Sequence, residues 1–225
     1  ALWEESIMTL DVDLFWSFRS PYSYLGMERY KAMVRDHDLV INVRPVYPIA
    51  IRDPGFFQQI NPLWPRYLMR DVYRVAEYEG LPFDWPKPDP VVMDMKTRTI
   101  PKEQPYIHWL TRLGIEAAHR GRGLEFIDSV SRKIWGEGVE NWHERSHMPK
   151  AAERAGLDLA DMERSIAGRE AEYEAGIKAN EDALEAAGHW GVPTLAFRGE
   201  PFFGQDRIDM CVWRMKQAGL KARAE

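Results

Sequence analysis

The chain has 225 residues, 45% of them hydrophobic and 29% charged, and its formal net charge is −5. This composition is ordinary for a globular protein, and the negative charge disfavours binding to nucleic acid. No apolar run approaches the roughly 18–20 residues of a membrane span, so we expect no membrane partner. Cys211 is the single cysteine, which excludes an internal disulfide and a two-cysteine redox cycle. We expect a cytoplasmic protein with a loosely attached leader over residues 1–9.

The first part of the chain predicts a β-α-β unit. Residues 11–16 alternate polar and apolar and then become fully apolar, which indicates a strand. Ser20-Pro21 has the pattern of a helix start, with a serine cap followed by proline, and helical spacing continues to about residue 36. Residues 39–47 predict a second strand that ends before Pro48. The two strands are expected to be parallel, joined by a right-handed crossover.

A long helical block follows. Four prolines punctuate residues 48–65, which are expected to form an irregular, partly extended loop. A helix is predicted over residues 66–78, ending at Gly80, and residues 81–90 are again rich in proline. Further helices are predicted at roughly 105–120, 123–136, 147–155, 158–166 and 169–187. At the end of the chain, residues 194–197 and 201–203 predict a hairpin, and residues 206–218 predict a closing helix.

The most informative segment is the corner between the first strand and its helix. Gly191-Val192-Pro193-Thr194 is expected to face this corner. A strand-to-helix corner opposite a Val-Pro dipeptide is the active-site geometry of thioredoxin-like proteins, where the corner carries Cys-x-x-Cys. Here the two cysteine positions are Ser20 and Ser23. We therefore predict the α/β class, a thioredoxin-like fold (residues 10–60 and 188–220) interrupted by an all-helical inserted subdomain (residues 61–187).

Serine at this corner predicts that the protein uses the thiol of a ligand. A helix N-terminus stabilises a thiolate, and a serine hydroxyl there can donate a hydrogen bond to a bound thiolate such as that of glutathione. Without a neighbouring base the hydroxyl is a poor nucleophile, so Ser20 is interpreted as a thiolate stabiliser. The alternative is that Ser20 only caps the helix. Ser23 is expected to be structural.

Two further segments complete the expected site. If Pro193 is cis, the backbone of Val192 faces the corner and can pair with an extended ligand; the alternative is a trans proline that merely starts the strand. Gly204 permits close backbone approach, and the helix start at Gln205 or Asp206 can bind a carboxylate. Asp206 can accept from an ammonium group, or it can simply cap the helix.

These segments together resemble the 2-hydroxychromene-2-carboxylate isomerase and kappa-class glutathione transferase family, from about Asp11 to Leu220. The likeness is carried by Phe18-Arg19-Ser20-Pro21-Tyr22-Ser23-Tyr24-Leu25-Gly26, Arg44-Pro45, Arg66-Tyr67-Leu68-Met69-Arg70-Asp71, Gly80-Leu81-Pro82-Phe83, Gly191-Val192-Pro193-Thr194 and Phe202-Phe203-Gly204-Gln205-Asp206-Arg207. Each segment alone is weak evidence for this resemblance, whereas the combination of segments is specific to the family.

The resemblance implies roles for individual residues. Ser20 would hydrogen-bond the glutathione sulfur, and Val192, before cis-Pro193, would pair with the cysteinyl backbone. Gln205 and Asp206 would hold the γ-glutamyl end, with Asp71 near it. The resemblance also implies a homodimer and a reaction in which glutathione adds to a conjugated keto acid, allows a cis double bond to become trans, and leaves unchanged.

The segment after the second strand departs from the family pattern of a lysine followed by Gly-Asn. Arg52 can take the place of the lysine and Asn61 that of the asparagine, although the spacing differs. Aromatic residues nearby favour a bulky, flat substrate, or they simply pack the subdomains together. The residues expected to contact the substrate are Arg19, Tyr22, Arg52, Asn61 and Trp64.

The sequence is compatible with more than one function. His143-Glu144-Arg145-Ser146-His147 matches a zinc-hydrolase pattern but is polar on all sides, and no metal site is predicted. His189-Trp190 is a candidate for the wall of the glutathione cleft. The leading function is a glutathione-dependent isomerase of an unsaturated aromatic compound. The alternatives are a kappa-like transferase that conjugates or dehalogenates hydrophobic electrophiles, and a non-catalytic thioredoxin-like binding module.

Overall fold

A computed structural model describes residues 9–224, so the leader expected over residues 1–9 lies outside the described residues except for Thr9. The centre of the fold is a four-stranded mixed sheet with the order β2-β1-β3-β4. The strands are β1 (Leu10–Trp16), β2 (Leu39–Pro45), β3 (Thr194–Phe197) and β4 (Glu200–Phe203). β1 and β2 are parallel, whereas β3 is antiparallel to both β1 and β4. The predicted β-α-β opening, the closing hairpin and the thioredoxin-like fold class are confirmed. β2 ends at its proline, two residues earlier than expected.

The crossover between β1 and β2 consists of two helices, α1 (Pro21–Leu25) and α2 (Met27–Asp36), where one helix was predicted. The break is at Gly26. A Cβ atom at this position would lie 2.6 Å from Cε2 of Tyr30, so only glycine leaves room for the tyrosine ring. Packing of a buried aromatic side chain thus sets the division, which helical periodicity does not reveal.

The prediction of an irregular loop over residues 48–65 is wrong. This stretch contains the short helices α3 (Ile49–Arg52) and α4 (Phe56–Gln59), and it includes the start of α5 (Leu63–Glu79). The helix expected from residue 66 begins three residues earlier, with Pro65 in its first turn. Proline is tolerated there because the N–H groups of a first turn have no partner within the helix. α5 ends, as predicted, at Gly80, whose φ is 65°.

The remaining helices lie where the sequence predicts them. They are α6 (Ile107–His119), α7 (Gly123–Trp135), α8 (Met148–Arg154), α9 (Leu159–Ile166) and α10 (Glu170–Ala186). The closing helix is preceded by a 3₁₀ turn at Gln205–Arg207, and α11 (Ile208–Gln217) follows it. No helix within residues 9–224 is long and apolar enough to span a bilayer.

One apolar core joins the sheet to the helical block. Trp16 and Phe18, at the end of β1, are completely buried and meet edge to face with centroids 4.8 Å apart. Phe18 also packs on Phe126 of α7, and its carbonyl accepts a hydrogen bond from Nε1 of Trp135 at 2.9 Å. The other face of the sheet is covered by Leu184 of α10. The division into residues 10–60 with 188–220 and residues 61–187 stays a prediction.

Candidate functional site

The site begins at the corner after β1, where Ser20 caps α1. Its backbone is extended, and Oγ accepts a hydrogen bond from the N–H of Ser23 at 3.2 Å. Ser20 is half-buried. Its hydroxyl proton has no acceptor within residues 9–224. The capping role is therefore real, and it uses a lone pair of the hydroxyl while leaving the proton available for a ligand.

Ser23 has a different environment. It is fully buried, and its Oγ has no hydrogen-bond partner in the part of the chain that the structure describes. Its carbonyl accepts from Nε1 of Trp16 at 3.1 Å. Ser23 therefore lies inside the first turn of α1, which fits the structural position predicted for it.

The Val192–Pro193 peptide bond is cis, the form that the corner geometry requires. Phe15 pairs with Thr194, so the antiparallel register brings Pro193 beside the end of β1. The carbonyl of Pro193 accepts from the N–H of Gly204 at 2.8 Å. Among residues 9–224, neither the N–H nor the C=O of Val192 has a backbone partner. These two groups can pair with an extended ligand as an added strand would.

A cleft of about 170 Å³ lies between these elements. It is lined by Tyr22, Trp64, Asp71, Val192, Pro193, Phe203, Gly204, Gln205 and Asp206. Seven of these nine residues were predicted to bind the cofactor or the substrate; Phe203 and Gly204 were expected only as neighbours of Gln205 in the same segment. Ser20 is at the adjoining corner, two residues before Tyr22, and does not itself line this cavity.

The wall formed by the 3₁₀ turn depends on Gly204. Its φ is 103°, and a Cβ there would lie 2.5 Å from Oδ1 of Asp206. The absence of a side chain lets the Asp206 carboxylate fold back over the turn. The other oxygen of this carboxylate pairs with Nη1 of Arg207 at 2.9 Å, on the exposed side.

Tyr22 and Asp71 form the opposite wall and are bonded to each other. The Tyr22 hydroxyl donates to Oδ2 of Asp71 at 2.6 Å, and Arg74 and Tyr67 donate to Oδ1 at 2.5 and 3.3 Å. Burial alone would raise the pKa of Asp71. The hydrogen bonds from Tyr22, Arg74 and Tyr67, together with the charge of Arg74, have the larger effect and lower this pKa. Burial and the bond to Asp71 raise the pKa of Tyr22, which remains a neutral donor.

Three predicted substrate residues are held elsewhere. Nε and Nη2 of Arg19 bond the two carboxylate oxygens of Asp89 at 3.2 and 3.1 Å. Arg52 donates to the carbonyl of Tyr47 at 2.7 Å, and burial lowers its pKa. Oδ1 of Asn61 accepts from the N–H of Leu63 at 3.0 Å at the start of α5. None of the three lines the cleft. Among the residues predicted to contact the substrate, only Tyr22 and Trp64 line it.

Aromatic rings stack behind the cis-proline. The His189 ring is nearly parallel to those of Phe203 and Trp190, with centroids 4.0 and 5.5 Å away. Nδ1 of His189 accepts from the N–H of Gly191 at 2.8 Å, so the neutral ring carries its proton on Nε2. Burial lowers the pKa of His189. The histidine thus supports the cleft through Phe203.

The zinc-hydrolase pattern does not form a site. Residues 143–147 lie in turns before α8, so its two histidines do not share a helix face. The His143 ring packs against that of Tyr106 at a tilt of 35°, with centroids 4.7 Å apart. Within residues 9–224, no group of three or more His, Cys, Asp or Glu side chains is arranged to hold a metal ion.

Comparison with known families identifies this architecture. The family model of the DSBA-like thioredoxin domain matches residues 11–216. The chain belongs to this family.

The curated relatives include two proteins named 2-hydroxychromene-2-carboxylate isomerase. The one from Sphingobium xenophagum is 27% identical over 209 residues, which are 90% of this chain and 96% of the relative. The one from Pseudomonas putida is 26% identical over 207 residues, which are 88% of this chain and 91% of the relative. Both of these relatives, which the chain matches over more than nine-tenths of their length, are thus named as isomerases.

Solved structures share the fold. A 2-hydroxychromene-2-carboxylate isomerase superimposes with a TM-score of 0.66 at 21% identity, covering 93% of this chain and 96% of that one. The cytosolic disulfide reductase DsbM from Pseudomonas aeruginosa, in a structure with GSH, has a TM-score of 0.56 at 15% identity, covering 92% and 100%. The fold therefore occurs both in an isomerase and in disulfide oxidoreductases.

Proposed function

We propose that the protein is a glutathione-dependent isomerase that converts a cis double bond of an unsaturated aromatic compound to trans. The observation that carries the proposal is the Ser20 hydroxyl at the corner after β1, whose oxygen caps α1 and whose proton has no acceptor within residues 9–224. The isomerase relatives support the reaction class. Cys211 is buried in α11, so this chain offers no thiol of its own at the corner.

The residues of the cleft fit glutathione as the bound thiol. The N–H and C=O of Val192, unpaired within the described residues 9–224, match the main chain of a cysteinyl residue. The turn at Gly204 is a cradle that a Cβ would fill, and the Asp206 carboxylate beside it suits an ammonium group. Asp71 adds a second negative charge whose pKa is lowered, so it is ionised at neutral pH. A γ-glutamyl group carries both an ammonium group and a carboxylate.

Glutathione, when bound, would supply a sulfur that adds reversibly to a conjugated double bond and thereby allows rotation. The protein residues bind and orient it. The Ser20 hydroxyl would donate a hydrogen bond to the sulfur, which favours the thiolate. Val192 would hold the main chain of the thiol through its N–H and C=O groups. Trp64 and Phe203, both substantially exposed at the cleft, offer flat apolar surface to the aromatic substrate.

The test is turnover of cis unsaturated aromatic keto acids with a measured balance of glutathione. Isomerase activity predicts the trans product, an absolute need for a thiol, and no loss of glutathione after many turnovers. Glutathione consumed in proportion to product would instead establish the second candidate, a kappa-like transferase. Failure of glutathione to bind at all would contradict the proposal and favour a non-catalytic binding module.

We further propose a cytoplasmic homodimer. The single, buried Cys211 is consistent with a reducing compartment. α5 carries exposed Leu63, Tyr67, Tyr73 and Tyr78, an apolar surface suited to a second copy. Sedimentation equilibrium would give twice the chain mass if this is correct and the single chain mass if it is not.

A further inference from the structure

Arg29 of α2 is held against the 3₁₀ turn, although the two are 176 residues apart in sequence. Its Nη1 donates to the carbonyl oxygen of Gln205 at 2.6 Å, and its Nη2 donates to the side-chain oxygen Oε1 of the same residue. Nε lies 3.5 Å from Oε1 of Glu79, at the end of α5. One guanidinium thus connects three elements at the back of the cleft.

The chemistry of arginine fixes how Gln205 is oriented. A guanidinium only donates hydrogen bonds, so the atom of the Gln205 amide that meets it must be the oxygen. The amide nitrogen is then directed away from Arg29. It has no acceptor within residues 9–224, and Gln205 lines the cleft. Gln205 therefore has a donor with two free N–H groups at the wall of the cleft, and such a donor suits a carboxylate.

We propose that Arg29 is a positioning residue that makes the site selective for thiols carrying a free carboxylate on the glutamyl end. The assignment rests on the proposed function. Arg29 acts through Gln205: it holds both the backbone and the side chain of that residue, so the amide cannot rotate and present its oxygen. An oxygen facing the cleft would repel the carboxylate instead of binding it.

Glu79 explains why a buried guanidinium is tolerated at this place. Arg29 and Glu79 are about three-quarters buried, with exposed side-chain fractions of 26% and 23%. A buried charge needs a partner of opposite sign. Gln205 accepts hydrogen bonds from Nη1 and Nη2, and the Glu79 carboxylate compensates the charge, although the buried Nε makes no hydrogen bond within residues 9–224. The Arg29–Glu79 ion pair thus links the clamp on α2 to the end of α5.

The test compares two ligands by calorimetry: glutathione, and an analogue whose γ-glutamyl group is replaced by 4-aminobutyryl and so lacks the α-carboxylate. The wild type is expected to bind glutathione at least about tenfold more tightly than the analogue, as the loss of a hydrogen bond to a charged group requires. Arg29→Met is expected to lose this preference, binding glutathione as weakly as the analogue. Its affinity for the analogue itself should not change.

Matched variants separate positioning from general damage. Arg35→Met, which removes an exposed arginine of the same helix, should keep the wild-type preference. Gln205→Leu should lose the preference, and combining it with Arg29→Met should cost nothing more. If Arg29→Met does not fold by thermal melting, Arg29→Lys serves, because one ammonium cannot replace two guanidinium nitrogens. It is expected to lose the preference as well.

Each remaining outcome is decisive. A folded Arg29 variant with the wild-type preference would overturn the positioning role while leaving the proposed function intact. A wild type that binds both ligands equally would show that Gln205 contacts no carboxylate, and it would also overturn the inference alone. A wild type that binds neither ligand would overturn the proposed function together with this assignment.

Discussion

At the scale of single residues, the Ser20 hydroxyl has an anchored oxygen and, within residues 9–224, a proton without an acceptor. The N–H of Ser23 occupies one side of the Ser20 oxygen and fixes the side chain. An anchored hydroxyl loses little further freedom when it donates to a ligand, so its hydrogen bond is more favourable than that of a mobile serine. Capping therefore favours the ligand binding that we propose for the same hydroxyl.

The Tyr22–Asp71 bond makes a prediction about stability and pH. Tyr22→Phe removes a donor to the Asp71 carboxylate, and the free energy of unfolding at neutral pH is expected to fall by about 1 kcal/mol. The bond lowers the pKa of Asp71, so its contribution is present above the unfolded-state pKa and is lost as the pH falls through the folded-state pKa. Urea denaturation at neutral and acid pH measures both effects.

Tyr67→Phe is the matched control for this prediction. Its hydroxyl also donates to Asp71, but the distance is 3.3 Å and the residue is half exposed. We expect a smaller loss than for Tyr22→Phe. Equal losses in the two variants, or a difference from wild type that persists in acid, would contradict the account of Asp71.

At the scale of secondary-structure elements, the sequence predicts the helices and turns that are determined by the local pattern of residues. The helices from α6 to α10 follow apolar periodicity, and the turn of the last hairpin follows Arg198-Gly199, both of which adopt positive φ. The division at Gly26 and the helical start before Pro65 are not predicted. The division at Gly26 depends on the contact with Tyr30, and the start before Pro65 depends on the geometry of the helix end. Local residue patterns show neither.

Gly204→Ala tests whether the 3₁₀ turn shapes the cleft. The new Cβ would collide with the Asp206 carboxylate, and the positive φ would add backbone strain. Displacement of Asp206 is expected to weaken glutathione binding about tenfold, as for the loss of a charged hydrogen bond. Calorimetry measures the affinity, and thermal melting measures the stability.

Gly219→Ala provides the control for backbone strain. Its φ is 96°, close to that of Gly204, but no atom lies within 4 Å of the Cβ position. We expect it to lower the melting temperature and to leave glutathione affinity unchanged. If the two alanine variants bind glutathione equally, the turn does not form the ligand wall.

At the scale of the whole molecule, the site depends on pairings that are distant in sequence. Arg19 and Asp89 are 70 residues apart, Tyr22 and Asp71 are 49 apart, and Arg29 and Gln205 are 176 apart. The sequence predicts the segments of the cleft because each has a local motif. It does not predict that Arg19 is already paired, since that depends on how the 81–90 segment folds back over the corner.

Cys211 reports on the integrity of the whole fold. It is completely buried in α11, and burial raises its pKa to about 12. A thiol reagent is therefore expected to modify the native protein very slowly at neutral pH, and the rate should rise with urea in parallel with unfolding. Rapid modification in the absence of urea would contradict the packing of α11 against the sheet.

The most direct test of the central claim is the pKa of the glutathione thiol in the complex, followed by the ultraviolet absorbance of the thiolate in wild type and Ser20→Ala. We predict that the wild type lowers this pKa below that of free glutathione. Ser20→Ala should raise it by about one unit, the equivalent of about 1.4 kcal/mol. Equal thiol pKa values in the two proteins, with glutathione bound in both, would contradict the role assigned to Ser20.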